Sequence, residues 1–233
     1  MNARGISEHE VQVAAEPGVL LEGSLTVPEQ ALGVVLFAHG SGSSRFSPRN
    51  RHVASVLQQA GLATLLMDLL TPEEEEAERW TRHLRFDIEL LAQRLIGAKQ
   101  WLMEEPEVQE FPIGLFGSST GAAAALVAAA REPEGIAAVV SRGGRPDLAG
   151  PLLPHVHAPT LLIVGGDDFP VIPLNREALD ALRTDKRLEL IPGATHLFEE
   201  PGALDQVARL AGSWFLQQFA ATSHEGRPGQ APV

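Results

Sequence analysis

Hydrophobic positions along the chain follow two rhythms. In residues 9–16 they alternate around Val11 and Val13, and after Pro17-Gly18 the alternation resumes at Val19, Leu21, Leu25 and Val27. A period of two turns one strand face inward, so this stretch predicts an antiparallel hairpin at a sheet edge. Residues 33–38, 62–67, 111–116, 136–140 and 159–164 are instead apolar almost without interruption. Short runs of this kind predict strands buried on both faces. A last strand is predicted at 188–191.

Between the runs the period changes to that of a helix. Ser47 followed by Pro48 predicts an N-cap and first turn, with Val53, Val56, Leu57 and Ala60 as the buried stripe and Gly61 as the stop. Thr71-Pro72-Glu73-Glu74 has the spacing of a capping box, so the acidic run 73–76 predicts a solvated helix start. Leu84, Ile88, Leu91, Leu95 and Leu102 keep helical spacing, and whether this helix breaks near Thr81 is not fixed by the pattern. Residues 121–130 form an alanine-rich buried helix. Leu174, Ala178, Leu179 and Leu182 mark a short one, and Leu204, Val207, Ala208, Ala211, Phe215 and Phe219 a closing one.

Buried strands alternating with amphipathic helices specify an α/β fold: a doubly wound, mostly parallel sheet with helices on both faces. Residues 1–219 form one domain in this reading, and the polar, Gly- and Pro-containing residues 220–233 a disordered tail. Loops that leave the carboxyl ends of parallel strands share one sheet edge, where ligands bind.

The junction between the run 111–116 and the helix 121–130 carries Gly117-Ser118-Ser119-Thr120-Gly121, a G-x-S-x-G pentapeptide. Joining a strand to a helix, this pattern makes a sharp turn that glycines permit, with the central serine exposed at the sheet edge. Ser119 is therefore the candidate nucleophile. The amide of Thr120, at the helix start, is a candidate donor to an oxyanion. A dinucleotide or phosphate loop competes for these glycines, but neither G-x-G-x-x-G nor G-K-[ST] is present, and the chain has no tyrosine for a Tyr/Lys reductase pair.

A serine nucleophile needs a base, and the base an orienting carboxylate. His196 follows the last strand and Asp168 follows the strand at 159–164, in the order Ser, Asp, His expected with such an elbow. Asp167 and Asp147 compete for the acid role. Asp168 is preferred because Gly165-Gly166 and one further residue let the chain turn back toward the histidine. The second oxyanion amide is assigned to Ser41 in the loop His39-Gly40-Ser41, and His39 to hydrogen bonding within that loop. Arg45, Arg142 and Arg145 make the rim basic, as a clamp for an anionic substrate group or as partners of nearby acids. His155 and His157 alternate without a cysteine or an H-E-x-x-H motif, so no metal is assigned, and no cofactor.

Over the 233 residues, a net charge of −12 argues against nucleic acid or an anionic membrane as a general partner. The absence of cysteine excludes disulfides and a thiol nucleophile. The N-terminus lacks a signal-peptide pattern, which predicts a soluble cytoplasmic protein. Residues 141–158 leave room for a loop with a turn of helix, too little for a cap over the site.

The set HGSGSS, GSSTG, GGDD and GATH, in this order, resembles the α/β-hydrolase superfamily, and within it the small, cap-free dienelactone-hydrolase-like group. The resemblance covers about Val11 to Phe219. It implies the α/β-hydrolase fold and acyl-transfer chemistry. The group's namesakes use a cysteine nucleophile where this chain has serine. The expected activity is hydrolysis of a small ester or lactone through a Ser-His-Asp triad; a vestigial binding module or an acyltransferase on the same fold are the alternatives.

Overall fold

The computed structural model describes residues 5–225. The alternating segment folds as β1 (Ile6–Glu16) and β2 (Val19–Pro28), an antiparallel pair whose turn passes through Gly18 at φ 79°. Glycine adopts that left-handed conformation at less cost than a residue with a side chain. Val13, Leu21 and Leu25 face inward and are fully buried.

The apolar runs become β3 (Val34–Ala38), β4 (Ala63–Met67), β5 (Ile113–Ser118), β6 (Ile136–Arg142), β7 (Thr160–Gly165) and β8 (Lys186–Ile191). They form one sheet in the order β1-β2-β4-β3-β5-β6-β7-β8. The β1/β2 and β2/β4 pairs are antiparallel and every other pair is parallel. Each residue of β3, β4, β5 and β7 is buried, as helices on both faces require. At the far edge β8 exposes Lys186 and Arg187, charges that oppose edge-to-edge pairing.

The described residues form six helices, α1 (Pro48–Gln59), α2 (Pro72–Thr81), α3 (Ile88–Glu104), α4 (Thr120–Arg131), α5 (Ile172–Ala181) and α6 (Ala203–Glu225), of which all but α2 pack on the sheet. Strand alternation divides the core. Phe37, Phe116, Val140 and Ile163 pack with Val53 and Leu57 of α1 and Val207, Ala211 and Phe215 of α6. Leu36, Leu115, Val139 and Leu162 point the other way, to Leu91 and Leu95 of α3 and Ala124 and Ala128 of α4.

Ser47 caps α1, its hydroxyl accepting from the Asn50 amide, and Thr71 and Glu74 complete a reciprocal capping box on α2. Several details depart from the pattern. Ala60 lies beyond the end of α1 and is exposed; Ala54 is buried in the stripe instead. The helical spacing after Thr71 breaks at Arg82, which takes φ 54°, and resumes after a 3-10 turn at Leu84–Phe86, with Asp87 capping α3. The acidic run is not wholly solvated, since Glu74 pairs at 2.7 Å with the buried Arg94. Helix α6 continues through Glu225, past residue 220 where a tail was predicted; the rest of that predicted tail, 226–233, lies outside the described residues.

Between β6 and β7 the chain makes only a 3-10 segment, Pro146–His155, kinked at Gly150. No cap covers the strand ends at this crossing. Among the described residues no helix is long and apolar enough to cross a membrane.

Candidate active site

Strand β3 lies between β4 and β5, so the chain winds first one way and then the other, leaving a crevice at the carboxyl ends of β3 and β5. The loops after β3, β5, β6, β7 and β8 bring Ser41, Ser119, Gly143, Asp168 and His196 to that edge.

Ser119 joins β5 to α4 at φ 53° and ψ −120°. Among the described residues it is one of three non-glycines with positive φ, the others being Arg82 and Phe198. Such a backbone is strained for a residue with a side chain. The flanking glycines make the crossing possible. A Cβ on Gly117 would lie 2.4 Å from the Ala122 Cα, and one on Gly121 2.3 Å from the Ala38 carbonyl oxygen. The Ser119 amide donates to the Arg142 carbonyl at 3.2 Å, tying the elbow to the end of β6.

The Asp168 amide closes a tight turn on the Gly165 carbonyl, and its buried carboxylate accepts from His196 Nδ1 at 2.7 Å. Asp167 is exposed, its amide bonded to the Ala194 carbonyl, and Asp147 pairs with Arg145. Asp168 is thus the carboxylate that reaches the histidine. With Nδ1 donating, Nε2 of His196 is left with its lone pair, the tautomer a general base requires. The histidine lies over Gly143, where a Cβ would stand 3.5 Å from Nδ1. The segment Arg142-Gly143 therefore touches both the elbow and the histidine loop. Among the described residues no hydrogen bond joins His196 to Ser119 in this resting arrangement; such bonds commonly tighten only with substrate in place.

The Thr120 amide stands at the first residue of α4, where an oxyanion donor is expected. The Ser41 amide differs from expectation. It donates to the Thr120 hydroxyl at 2.9 Å and is not free at rest. His39 bonds within its loop only through Nδ1, to the Gly40 carbonyl at 3.0 Å; its Nε2 reaches out of the loop and accepts from the Leu69 amide at 3.2 Å.

The three arginines separate. Arg45 pairs with Asp68 and, at 3.6 Å, with Glu10. Arg145 holds both oxygens of Asp147, at 2.8 and 2.7 Å. The basic rim expected from these two is neutralised by the protein's own acids. Arg142 was expected in a loop, yet it is the last residue of β6 and is buried. Among the described residues it has no carboxylate partner: Nε and Nη1 are buried without a hydrogen bond, and the guanidinium lies 5.9 Å from the Phe198 ring centroid. Burial, with the nearby Arg49 charge, lowers its pKa to about 10, so it remains a cation at neutral pH. The sequence does not single out Arg49 or Phe198. The only sequence signal for Phe198 is its place two residues after His196, and Arg49 reads as an ordinary helix-surface cation.

A cleft of about 710 Å³ opens beside the loop after β3, lined by Gly42, Ser43, Arg45, Phe46, Arg49 and Arg85 among others. His155 and His157 are exposed on either side of the buried Val156, and among the described residues no group of three or more His, Cys, Asp or Glu could hold a metal.

Comparison with known proteins agrees with this architecture. A crystal structure of a dienelactone hydrolase from Anabaena variabilis is 63% identical, superposes with a TM-score of 0.90, and is matched over 92% of this chain and 99% of that one. Est1E from Butyrivibrio proteoclasticus has the same fold at 16% identity, with a TM-score of 0.76 over 91% of this chain and 99% of that one. A Mycobacterium tuberculosis protein provisionally named a phosphoribosyl transferase is 57% identical over 221 residues, 95% of this chain. The match takes in 49% of that protein, so the chain spans about half the length of the curated relative. The model of the dienelactone hydrolase family matches residues 21–219, and the chain belongs to that family.

Proposed function

We propose that this protein hydrolyses a carboxylic ester or lactone of a small substrate through a serine acyl-enzyme. The observation that carries the reading is the 2.7 Å bond from His196 to the buried Asp168, on the sheet edge where Ser119 is held in its strained turn. Ser119 Oγ attacks the carbonyl carbon as His196 Nε2 takes its proton. Asp168 keeps the imidazole in the right tautomer and stabilises the imidazolium. The carbonyl electrons move to oxygen, where donors at the start of α4 meet them. Collapse expels the alcohol with the proton from His196, and water repeats the cycle to release the acid.

The transferase name of the M. tuberculosis relative belongs to a chain about twice as long and is not carried over. Family membership supports hydrolysis, and the esterase and lactonase reading rests on the site's geometry.

The substrate in this reading is anionic. Arg142 is a buried cation with no carboxylate partner among the described residues, one residue before the glycine against which His196 packs, whereas its neighbour Arg49 is already paired with Glu199 at 3.1 Å. A guanidinium of this kind favours a carboxylate or phosphate on the substrate by charge-assisted hydrogen bonding.

The test is labelling with a fluorophosphonate probe together with turnover of small aryl esters. Labelling and hydrolysis that both disappear in Ser119→Ala support the reading. An unlabelled, inactive wild type points to a vestigial binding module, and an active Ser119→Ala variant removes the nucleophile assignment.

A further inference from the structure

The hydrogen bond from Ser41 to Thr120 is the end of a longer chain. The Leu69 amide donates to His39 Nε2, so that nitrogen is an acceptor and the ring proton resides on Nδ1. Nδ1 donates to the Gly40 carbonyl at 3.0 Å. Burial lowers the His39 pKa and keeps the ring in this neutral form. The Gly40 carbonyl and the Ser41 N–H belong to one peptide group, and a donor on its oxygen makes its N–H a stronger donor. That N–H donates to Thr120 Oγ1 at 2.9 Å, which in turn makes the hydroxyl proton more acidic. Thr120 is buried, and its own hydroxyl proton has no acceptor among the described residues.

We infer that the Thr120 hydroxyl, rather than the Ser41 amide, is the second donor of the oxyanion hole. The inference rests on Ser119 as nucleophile. The oxygen lies on the Ser41 amide, in the place an oxyanion bound by that amide would take. An unused O–H beside the Thr120 N–H gives the developing alkoxide two donors from one residue. No proton is transferred: as the Ser119 Oγ–carbon bond forms, the hydroxyl strengthens a hydrogen bond to the new oxyanion while keeping its hydrogen. His39 has no contact with the substrate in this scheme. It is a positioning residue that polarises the Gly40–Ser41 peptide.

Three variants test this on the chain as it stands. Thr120→Val keeps the size and the backbone amide and removes the hydroxyl. Its kcat for a small ester falls on the order of 10²-fold, as for loss of one oxyanion donor, with KM within a factor of about two. Thr120→Ser restores most of the rate. Affinity for a trifluoromethyl ketone, whose adduct carries the oxyanion, falls in parallel with kcat in Thr120→Val. Thr120→Ala, which cannot overpack, shows the same kcat loss and serves if the valine variant does not fold. Unchanged or increased kcat in Thr120→Val and Thr120→Ala overturns the inference, since the freed Ser41 amide then serves the oxyanion itself. Fluorophosphonate labelling of the wild type and of Ser119→Ala is run alongside. Loss of label in Ser119→Ala with a fully active Thr120→Val removes the hydroxyl role alone, whereas activity retained in Ser119→Ala removes both.

Discussion

Asp168 and His196, from separate loops of the chain, meet through a 2.7 Å hydrogen bond, while the adjacent Asp167 faces solvent. The two aspartates therefore offer an internal control. Asp168→Asn reverses the tautomer of His196 and lowers kcat for a small ester by about 10³–10⁴-fold. Asp167→Asn stays within a few-fold of wild type, because its side chain makes no bond to the histidine. Steady-state kinetics on the two variants side by side checks this, and a larger loss at Asp167 reassigns the acid.

On the proposed reading, Arg142 is expected to distinguish charged from neutral substrates. An ester with a free carboxylate or phosphate is turned over better than its neutral isostere, by about 10- to 100-fold in kcat/KM if one charge-assisted contact is made. Arg142→Ala abolishes the difference by raising KM for the charged ester alone. Because its pKa is about 10, the wild-type preference also fades as pH rises through that value. Equal turnover of the two esters by the wild type at neutral pH refutes the substrate role. Arg45→Ala reads out differently: the loss of its pairing with Asp68 appears in the melting temperature.

His39 gives stability a pH dependence. Its folded-state pKa is lowered by burial, so between that value and the unfolded value near 6.5 the unfolded chain binds more protons. The stabilisation from keeping the ring neutral is complete above about 6.5 and is lost as pH falls through the folded-state pKa. Urea melts at pH 7.5 and 5 will show a larger loss for the wild type than for His39→Gln. Equal losses contradict the assignment.

With only a 3-10 segment between β6 and β7, no cap encloses a long acyl chain at this crossing. In a series of p-nitrophenyl esters, kcat/KM peaks at short chains and shows no rise at a lipid interface. A steady increase toward long chains would be incompatible with this open edge.

The chain made its fold legible because β3, β4, β5 and β7 are fully buried and their residues had to be apolar on both faces; residues 33–38 and 62–67 are examples. Ser141 and Arg142 were hidden by the same rule. They are polar, so they read as loop, although they pair with Leu162 and Ile163 in the sheet. The break at Arg82 was not visible because its left-handed cap is not a glycine. At the site, residue types and order single out Ser119, Asp168 and His196, because the elbow and the strand-end loops are local in sequence. Which arginine lacks a partner, and which donor the Ser41 amide meets, depend on side-chain directions that only packing decides.

The backbone at Ser119 has a further consequence. A conformation at φ 53° costs a residue with a side chain about 1–3 kcal/mol, and glycine at the same position far less. Ser119→Gly should therefore melt at a higher temperature than the wild type while doing no chemistry. Screening variants for heat resistance alone would favour loss of the proposed nucleophile. Stabilised forms of this protein must be selected for turnover and thermal tolerance together, because at this position the two demands oppose each other.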